Sequence, residues 1–399
     1  MYFDDWYKKQ VTLRWEGQSV DLAVAQELFS SHEVDRGSLL LLRSLDGDSL
    51  PERGRSLDYG SGYGVLGLAV KAIRPAWDVT LVDRDALAVA FSAWNAGHLG
   101  MAVDCRCGLD PIDSTGAGYD LVLWNVPGKA GASVLARLTG EALDVLAPAG
   151  TLALVIVHPL VDAVRAAIAA RDDVAIVHES KGREHTVIHA RRTSGSPTGA
   201  RDGFADGVFD REAIEVVYGD IAYGLVPVIG LPQYDGPDQT SLMVMDALTS
   251  LPADDRERRR AMVVRPGVGH LPKAVRARWP SAELVLVDRD LLALRASVRA
   301  IGNDRTRTVA SPDFDGVDIG SPVELAIVMI PDQMRPPVMT RLLDDLIERL
   351  EPGGWLLAGG ASTEVSRFVA IAGKRPKVRL RDQRKRRGSS VAISERREG

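Results

Sequence analysis

The chain has 399 residues, 45% of them hydrophobic and 26% charged, with a formal net charge of −5 at pH 7. This length allows two domains of about 200 residues, and the acidic balance argues against a protein that coats nucleic acid without specificity. No apolar run reaches the roughly 18 residues of a membrane helix, and the acidic start is unlike a signal peptide. We therefore expect no membrane partner and a cytoplasmic location.

Metal-binding patterns are not found in the sequence. The chain has two cysteines, Cys105 and Cys107, and its seven histidines are scattered without the spacing of metal ligands. Two thiols alone form neither a disulfide framework nor a zinc site. We expect no metal and a reducing compartment.

In chain order, the first predicted elements are a hairpin and a helix. Residues 11–15 and 20–24 are β-rich runs on either side of the turn residues 16–19, a pattern typical of a hairpin. An apolar run beginning at Ser38 predicts a helix. From there, short β-branched runs alternate with Ala/Leu/Arg-rich helical stretches, which indicates a mainly parallel sheet with crossover helices.

A glycine-rich turn follows the next predicted strand, at residues 58–64, with the sequence Asp-Tyr-Gly-Ser-Gly-Tyr-Gly. Glycines at 60, 62 and 64 let the backbone turn tightly and let a ligand approach the main chain. The helix that follows presents free N–H groups and the positive end of its dipole. About twenty residues later Asp83, followed by Arg84, ends the next strand, where a carboxylate can bind ribose hydroxyls. Together these features predict a site for a nucleoside-containing cofactor.

The spacing of the turn favours S-adenosylmethionine over a dinucleotide. A dinucleotide fingerprint has the spacing G-x-G-x-x-G, whereas this turn has G-x-G-x-G. Asp58 also stands directly before the glycines, where a carboxylate would repel a pyrophosphate and attract a cationic ligand with an amino-acid head.

The second half of the chain repeats the first. The pentapeptide Leu-Val-Asp-Arg-Asp begins at Leu81 and again at Leu286, and similar strands and turns surround both copies. Residues 193–203 are rich in Ser, Thr, Gly and Pro, which is typical of a linker. The predicted domains are residues 1–193 with an N-terminal hairpin extension, a linker over 194–207, and a duplicate over 208–399. We expect an α/β protein of two tandem Rossmann-like domains, each with a mainly parallel sheet flanked by helices.

Each half is predicted to end in a β-hairpin. In the first half the turn falls on residues 180–184, which include Lys181 and Arg183. In the second half it falls on residues 384–388, and four positive charges are expected at this tip: Arg384, Lys385, Arg386 and Arg387.

These motifs resemble the class I S-adenosylmethionine-dependent methyltransferases, and more narrowly the tandem-domain ribosomal RNA guanine-N2 methyltransferases of the "methyltransferase small" family. Phe29-Ser30 followed by Asp35-Arg-Gly-Ser38 looks like that family's segment before the first motif, and residues 58–64 look like its first motif. The resemblance implies a cofactor site that includes Asp110 near the adenine, and its predicted members are Asp58, Tyr59, Gly60, Gly62, Gly64, Asp83, Arg84 and Asp110.

The resemblance also implies an acceptor site. Residues 125–128, Asn-Val-Pro-Gly, occupy the place of the family's Asn-Pro-Pro-aromatic motif. In that motif the Asn side-chain oxygen and the next carbonyl accept hydrogen bonds from an exocyclic amine, and the aromatic ring stacks on the base. Asn125, Val126 and Pro127 are the expected catalytic residues. Gly128 removes the stacking ring, for which Trp124 is a candidate substitute, and Lys181, Arg183 and the basic cluster at 384–387 are candidate RNA contacts.

The duplicate lacks the polar residues of these motifs. Val263 stands in the place of Asp58, Arg265 in the place of Gly60, and Met329 in the place of Asn125. We therefore interpret the second half as a non-catalytic copy, although in the best-known tandem members of the family the C-terminal copy is the active one.

The expected function is S-adenosylmethionine-dependent N-methylation of an exocyclic amine of guanine, with ribosomal RNA as the partner. Two alternatives stay open. One is a catalytically inactive module that binds S-adenosylmethionine and RNA, and the other is a methyltransferase of a small molecule or a protein side chain. The sequence does not fix the oligomeric state, although the internal duplication is compatible with a monomer.

Overall fold

The computed structural model describes residues 1–109, 118–128, 131–197, 202–252 and 260–398. It divides into two compact units. The first unit is Tyr7–Phe209, and the second unit is Asp210–Gly399 together with the N-terminal hexapeptide Met1–Trp6. The hexapeptide contains a short helix, α1 (Phe3–Trp6). Among the described residues, no helix is long and apolar enough to span a membrane.

The elements of the first unit follow each other in the order that the sequence predicts. They are β1 (Tyr7–Trp15), β2 (Gln18–Ala25), α2 (Arg36–Ser44), β3 (Arg55–Tyr59), α3 (Val65–Ile73), β4 (Asp78–Asp83), α4 (Ala86–His98), β5 (Asp104–Cys107), β6 (Tyr119–Asn125), α5 (Ala132–Asp144), β7 (Leu146–Val157), α6 (Val161–Ala169), β8 (Val174–Lys181) and β9 (His185–Arg192).

Seven strands of the first unit form one sheet, in the order β5-β4-β3-β6-β7-β9-β8. The pairs from β5 to β7 are parallel, whereas β9 runs antiparallel to both β7 and β8. Because parallel strands end at the same edge, the carboxyl ends of β3, β4 and β6 lie side by side there. In an open α/β sheet this edge is the usual place for a ligand.

The second unit repeats this architecture. Its elements are β10 (Ile214–Tyr218), β11 (Ile221–Leu225), α7 (Gln239–Thr249), β12 (Arg260–Val264), α8 (His270–Arg278), β13 (Glu283–Asp288), α9 (Leu291–Ile301), β14 (Thr306–Ala310), β15 (Val323–Met329), α10 (Pro336–Arg349), β16 (Leu350–Ala361), α11 (Ser362–Ala372), β17 (Val378–Arg386) and β18 (Ser389–Arg396). The sheet order β14-β13-β12-β15-β16-β18-β17 matches that of the first unit strand for strand. The expected pair of Rossmann-like domains, each with a terminal hairpin, is therefore confirmed.

The boundaries of the two units differ from those of the domains predicted from the sequence. The hexapeptide, which the sequence order groups with residues 7–193, packs in the second unit. Beyond residue 193 the chain still packs on the first unit, where Asp206 pairs with Arg137 of α5 at 3.0 Å and Phe204 is buried. Burial of Phe204 stabilises this segment on the first unit, although its composition is that of a linker. Composition indicates local flexibility, but it does not indicate tertiary contacts.

The turn of the second terminal hairpin is tighter than the sequence suggests. Arg387 and Gly388 form it, with φ values of 48° and 84°. Two consecutive positive φ angles are those of a two-residue type I′ turn, whose twist matches that of the strands. Arg384, Lys385 and Arg386 are consequently residues of β17, and the prediction that all four charges lie at the tip is wrong.

Candidate functional site

The glycine-rich turn lies at the carboxyl end of β3 and has the left-handed backbone that the sequence predicts. Gly60, Gly62 and Gly64 have φ values of 71°, 57° and 95°. The N–H groups of Gly60 and Ser61 both donate to the carbonyl of Val82, at 2.8 and 3.0 Å, which fixes the turn against β4. A Cβ atom added at Gly60 or Gly62 would meet no atom within 4 Å, so space lies open above the turn.

Asp83 supports the turn from the end of β4. Its Oδ2 accepts a hydrogen bond from the N–H of Gly62 at 2.9 Å, and its Oδ1 accepts one from the N–H of Asp85, also at 2.9 Å. Burial raises the pKa of Asp83 to about 6. Each carboxylate oxygen can accept a second hydrogen bond, so the side chain remains suited to a pair of ribose hydroxyls. The neighbouring Arg84 is exposed.

Asp58 is almost fully buried beneath the same turn. It is 1% exposed, and its Oδ2 accepts a hydrogen bond from the N–H of Gly67 at 2.8 Å. Its Oδ1 is buried and has no hydrogen-bond donor among the described residues. Burial, with a further contribution from Asp83, raises the pKa of Asp58 to about 7. A buried carboxylate oxygen without a donor is costly, and a cationic ligand at the turn would offset that cost.

Tyr59 is a supporting residue. Its ring is 6% exposed, and its hydroxyl donates to the carbonyl of Leu109 at 2.7 Å. It thus holds the chain directly before Asp110, the predicted adenine contact, which itself lies outside the described residues.

Asn125 is oriented by the first turn of α2. Its Nδ2 donates to Asp35 Oδ2 at 2.8 Å and to Ser38 Oγ at 2.9 Å. Asp35 is also the N-cap of α2, because its Oδ2 accepts from the N–H of Ser38 at 3.0 Å. Both amide hydrogens of Asn125 are therefore used, and Oδ1 has no hydrogen-bond donor among the described residues. This arrangement leaves an amide oxygen available to a substrate N–H.

The residues after Asn125 leave the sheet at its carboxyl edge. The N–H of Val126 donates to the carbonyl of Val155 at 2.9 Å, which anchors the backbone beside Asn125. Pro127 and Gly128 are exposed. A Cβ atom at Gly128 would meet only Val157, at 3.7 Å, so a larger side chain would fit there.

Trp124 does not replace the missing stacking ring. It is 1% exposed, and its ring packs 5.2 Å from that of Tyr59. Strand alternation turns it into the core on the face opposite its neighbours along β6. A base has no access to it, so the expectation that it stacks on substrate is wrong.

A basic cleft lies between α2 and the turn of the β8–β9 hairpin. It has a volume of about 250 Å³, and its lining includes Arg36, Arg43, Arg183 and His185. Of the predicted RNA contacts, Arg183 lines this cleft and Lys181 is exposed beside it. Arg36 and Arg43 are not among the residues predicted from the sequence. Their spacing of seven residues places them on one face of a helix, which is the signal that identifies them.

The basic residues of β17 differ in their contacts. Arg384 is paired with Asp382 at 2.9 Å and also donates to Ser250, while Lys385 donates to Ser366 at 3.3 Å. Arg387 stands in the turn. These side chains belong to the second unit.

The second unit keeps the backbone of the glycine turn without its chemistry. Arg265 occupies the position of Gly60 with φ 60°, and its N–H donates to the carbonyl of Val287 at 2.8 Å, as that of Gly60 does to Val82. Asp288 is the counterpart of Asp83, and burial raises its pKa to about 6. Val263, in the place of Asp58, is fully buried.

Comparisons with known proteins agree with these observations. The family model of the methyltransferase small domain matches residues 19–170. A ribosomal RNA small subunit methyltransferase C of Pseudomonas putida is 42% identical over 104 residues, which cover 26% of this chain and 30% of the relative. One from Aliivibrio fischeri is 32% identical over 142 residues, which cover 35% of this chain and 40% of the relative. The matches thus span less than half the length of these curated relatives.

The fold of the whole chain is similar to that of a solved structure. The T. thermophilus 16S rRNA N2 G1207 methyltransferase, solved in complex with AdoMet and guanosine, superposes with a TM-score of 0.67 and 18% identity over 98% of both chains. At this identity the likeness establishes the tandem fold. Residues 19–170, which lie in the first unit, match the methyltransferase small domain model, and the whole chain has the same tandem-domain fold as this solved structure.

Proposed function

We propose that the chain is an S-adenosylmethionine-dependent N-methyltransferase that acts on an exocyclic amine of guanine in ribosomal RNA, and that the first unit carries the reaction. The observation that carries this proposal is the orientation of Asn125, whose amide hydrogens are bound to Asp35 and Ser38. The similarity to ribosomal RNA small subunit methyltransferases supports the same substrate class. A cytoplasmic protein that works as a monomer is consistent with the proposal.

The residues of the first unit fit the cofactor. Asp58 offers a buried carboxylate oxygen to the ammonium group, the backbone of the glycine turn accommodates the amino-acid part, and Asp83 accepts the ribose hydroxyls. When bound, S-adenosylmethionine supplies an electrophilic methyl group on a sulfonium centre.

The acceptor amine is positioned by two oxygens at the end of β6. Asn125 Oδ1 and the carbonyl of Val126 each accept one N–H of an exocyclic amine, and both are held by the sheet and by α2. Two accepted hydrogen bonds fix the plane of the amine and direct its lone pair away from the protein surface that holds it. Orientation of this kind is worth several kcal/mol of barrier.

We further propose that Phe29 supplies the ring that stacks on the base. It lies in the loop between β2 and α2 and is 73% exposed, although it is a large apolar side chain. The next residue, Ser30, accepts a hydrogen bond at 3.5 Å from the hydroxyl of Tyr63, which belongs to the glycine turn. The same loop ends at Asp35, the partner of Asn125. The segment that follows Phe29 is thus tied to the glycine turn through Ser30 and to Asn125 through Asp35.

The cleft lined by Arg36, Arg43 and Arg183 is proposed to receive the RNA backbone. Arg36 and Arg43 are exposed at the start and in the last turn of α2, the helix that orients Asn125, and Arg183 is exposed in the turn between β8 and β9. Lys181 adds a further positive charge, and the basic residues of β17 are a second candidate contact. Exposed cations bind phosphate without a burial cost, which suits a flexible, charged substrate.

The test is methyl transfer from radiolabelled S-adenosylmethionine to 16S rRNA by the full chain, followed by nucleoside mass spectrometry. We expect N2-methylguanosine with the wild type. We expect transfer to fall to background in Asn125→Ala, while the Kd for S-adenosylmethionine stays within about twofold. Met329→Ala, at the equivalent position of the second unit, is the matched control and is expected to retain activity.

Two results would contradict the proposal. Cofactor binding by the wild type without transfer to any RNA would favour the inactive binding module. Full activity of Asn125→Ala would move the acceptor site away from β6.

A further inference from the structure

The second unit has a pocket at the carboxyl edge of its sheet, where β12, β13 and β14 end. Its lining includes Val264, Val287, Asp288, Ser311 and Asp313. The strand register relates this pocket to the first unit. The N–H of Ser311 donates to the carbonyl of Asp288 at 2.9 Å, as that of Gly108 donates to Asp83 at 3.0 Å.

This register places Asp313 at the position that corresponds to Asp110. Each aspartate stands two residues beyond the residue that closes the equivalent backbone hydrogen bond, Ser311 or Gly108. Phe314 follows, and its ring lies 4.5 Å from the guanidinium carbon of Arg349. The second unit thus keeps two features of a nucleoside site, a carboxylate at the end of β13 and another beyond β14.

The hexapeptide Met1–Trp6 forms one wall of this pocket, through Tyr2, Asp5 and Trp6. The indole Nε1–H of Trp6 donates to Asp313 Oδ2 at 2.9 Å, and the backbone N–H of Tyr2 donates to the same oxygen at 3.0 Å. Trp6 is 1% exposed. The indole is a flat, bicyclic ring with one N–H donor at its edge, which is the geometry that an aminopurine would offer to the same carboxylate.

Arg341 of α10 holds the other side of the hexapeptide. Its guanidinium carbon lies 4.4 Å from the ring centre of Tyr2, and its Nε lies 3.3 Å from Asp5 Oδ2. The space that remains beside the hexapeptide is about 30 Å³, which is room for about two water molecules. The remaining space is too small for a nucleoside.

We propose that the second unit retains a nucleoside-shaped pocket and that Met1–Trp6 occupies it as an internal ligand, with the Trp6 indole in the position of a purine base. The hexapeptide is covalently part of the chain, so its effective concentration at the pocket is in the millimolar range or above, and a weakly bound free nucleoside does not displace it. Two features thus exclude nucleosides from the second unit. The hexapeptide takes the position of the base, and the counterparts of Asp58 and Gly60 are lost. This inference is independent of the activity proposed for the first unit.

The test is hydrogen exchange of the full chain, measured on peptides that cover residues 311–317. Trp6→Phe keeps an aromatic ring but removes the N–H donor and one of the two fused rings, whereas Trp6→Ala empties the base position. We expect exchange at 311–317 to rise at least tenfold in Trp6→Ala and less in Trp6→Phe, with β18 unchanged. Trp279→Phe, at the half-buried C-cap of α8 in the same unit, is the matched control and should leave both regions unchanged.

The proposal is overturned if residues 311–317 exchange in Trp6→Ala as in the wild type, or if their exchange rises no more than that of β18. The second result would mean that Trp6 contributes only to global stability.

Adenosine tests the shape of the pocket. At millimolar concentration, adenosine should restore protection of residues 311–317 in Trp6→Ala and have no effect on this segment in the wild type. Failure to restore protection would overturn the assignment of the pocket to a nucleoside.

Discussion

Asn125 Nδ2 lies 2.8 Å from Oδ2 of Asp35, a residue 90 positions earlier in the chain. Because an ionised carboxylate only accepts hydrogen bonds, this contact determines which end of the Asn125 amide faces the protein. The amide oxygen faces the acceptor side, where it can hold an amine. A capping residue of α2 thereby sets the orientation of the proposed catalytic side chain.

The first prediction separates this positioning role from helix capping. Asp35→Ser keeps an N-cap oxygen for α2, since Ser is a good capping residue, but its side chain is too short to reach Asn125. We expect kcat to fall about 10- to 100-fold, as for one lost orienting hydrogen bond of about 1.5–3 kcal/mol, with little change in melting temperature. Steady-state kinetics and calorimetry check this. A lower melting temperature with an unchanged kcat would show that Asp35 acts only as the N-cap of α2.

The second prediction restores a stacking ring at the end of β6. Gly128 does not require a positive φ, and its Cβ position is open except for Val157 at 3.7 Å. Gly128→Tyr should lower the KM for RNA by about 5- to 100-fold, because base–aromatic stacking contributes roughly 1–3 kcal/mol. The same substitution in a Phe29→Ala background tests whether Phe29 already serves this purpose. The gain should be larger there, and an equal KM in all four proteins would exclude stacking at both positions.

The third prediction concerns pH and the cofactor. The pKa values of Asp83 and Asp58 are raised by burial to about 6 and about 7. Below these values each side chain carries a proton and is a poor acceptor for ribose hydroxyls or an ammonium group. Affinity for S-adenosylmethionine should therefore increase as pH rises from about 5 to 7, by up to about tenfold per pH unit for each proton released, and then level off.

Isothermal titration across this pH range measures the effect. Asp83→Asn removes one titrating group, so its affinity should be lower and should change less steeply with pH. An affinity that is constant from pH 5 to pH 8 in the wild type would show that neither carboxylate is a cofactor ligand.

The fourth prediction compares the two basic surfaces. Arg36→Ser with Arg43→Ser should weaken RNA binding and reduce its salt slope by about 0.7–0.9 for each lost phosphate contact. Arg386→Ser with Arg387→Ser tests β17 in the same way. Arg384→Ser is the control there, because Arg384 is already paired with Asp382. Filter binding at several salt concentrations measures the salt slope of each variant. If neither pair changes the slope, RNA is bound elsewhere.

The sequence by itself determined the fold and the outline of the site. The repeated pentapeptide at Leu81 and Leu286 indicated the duplication, and the glycine turn with Asp83 indicated the edge of the sheet where a nucleoside binds. Such features are local, because left-handed backbone requires glycine and because strand and helix periods are written into short stretches of chain. The type I′ turn at Arg387 could not be predicted in this way, because arginine is an uncommon residue at positive φ.

Only the tertiary structure decided which side chains meet. Four features depend on residues that are far apart in the sequence. They are the contact of Asn125 with Asp35, the burial of Trp124, the cleft that Arg36 and Arg183 share, and the hydrogen bond from Trp6 to Asp313. A strand pattern assigns a side chain to one of two faces, but packing against neighbouring elements decides whether that face is open to a ligand. The hexapeptide is the clearest case. Its short apolar and acidic sequence does not indicate which residues it contacts, and in the structure Trp6 and Tyr2 donate to the Asp313 carboxylate.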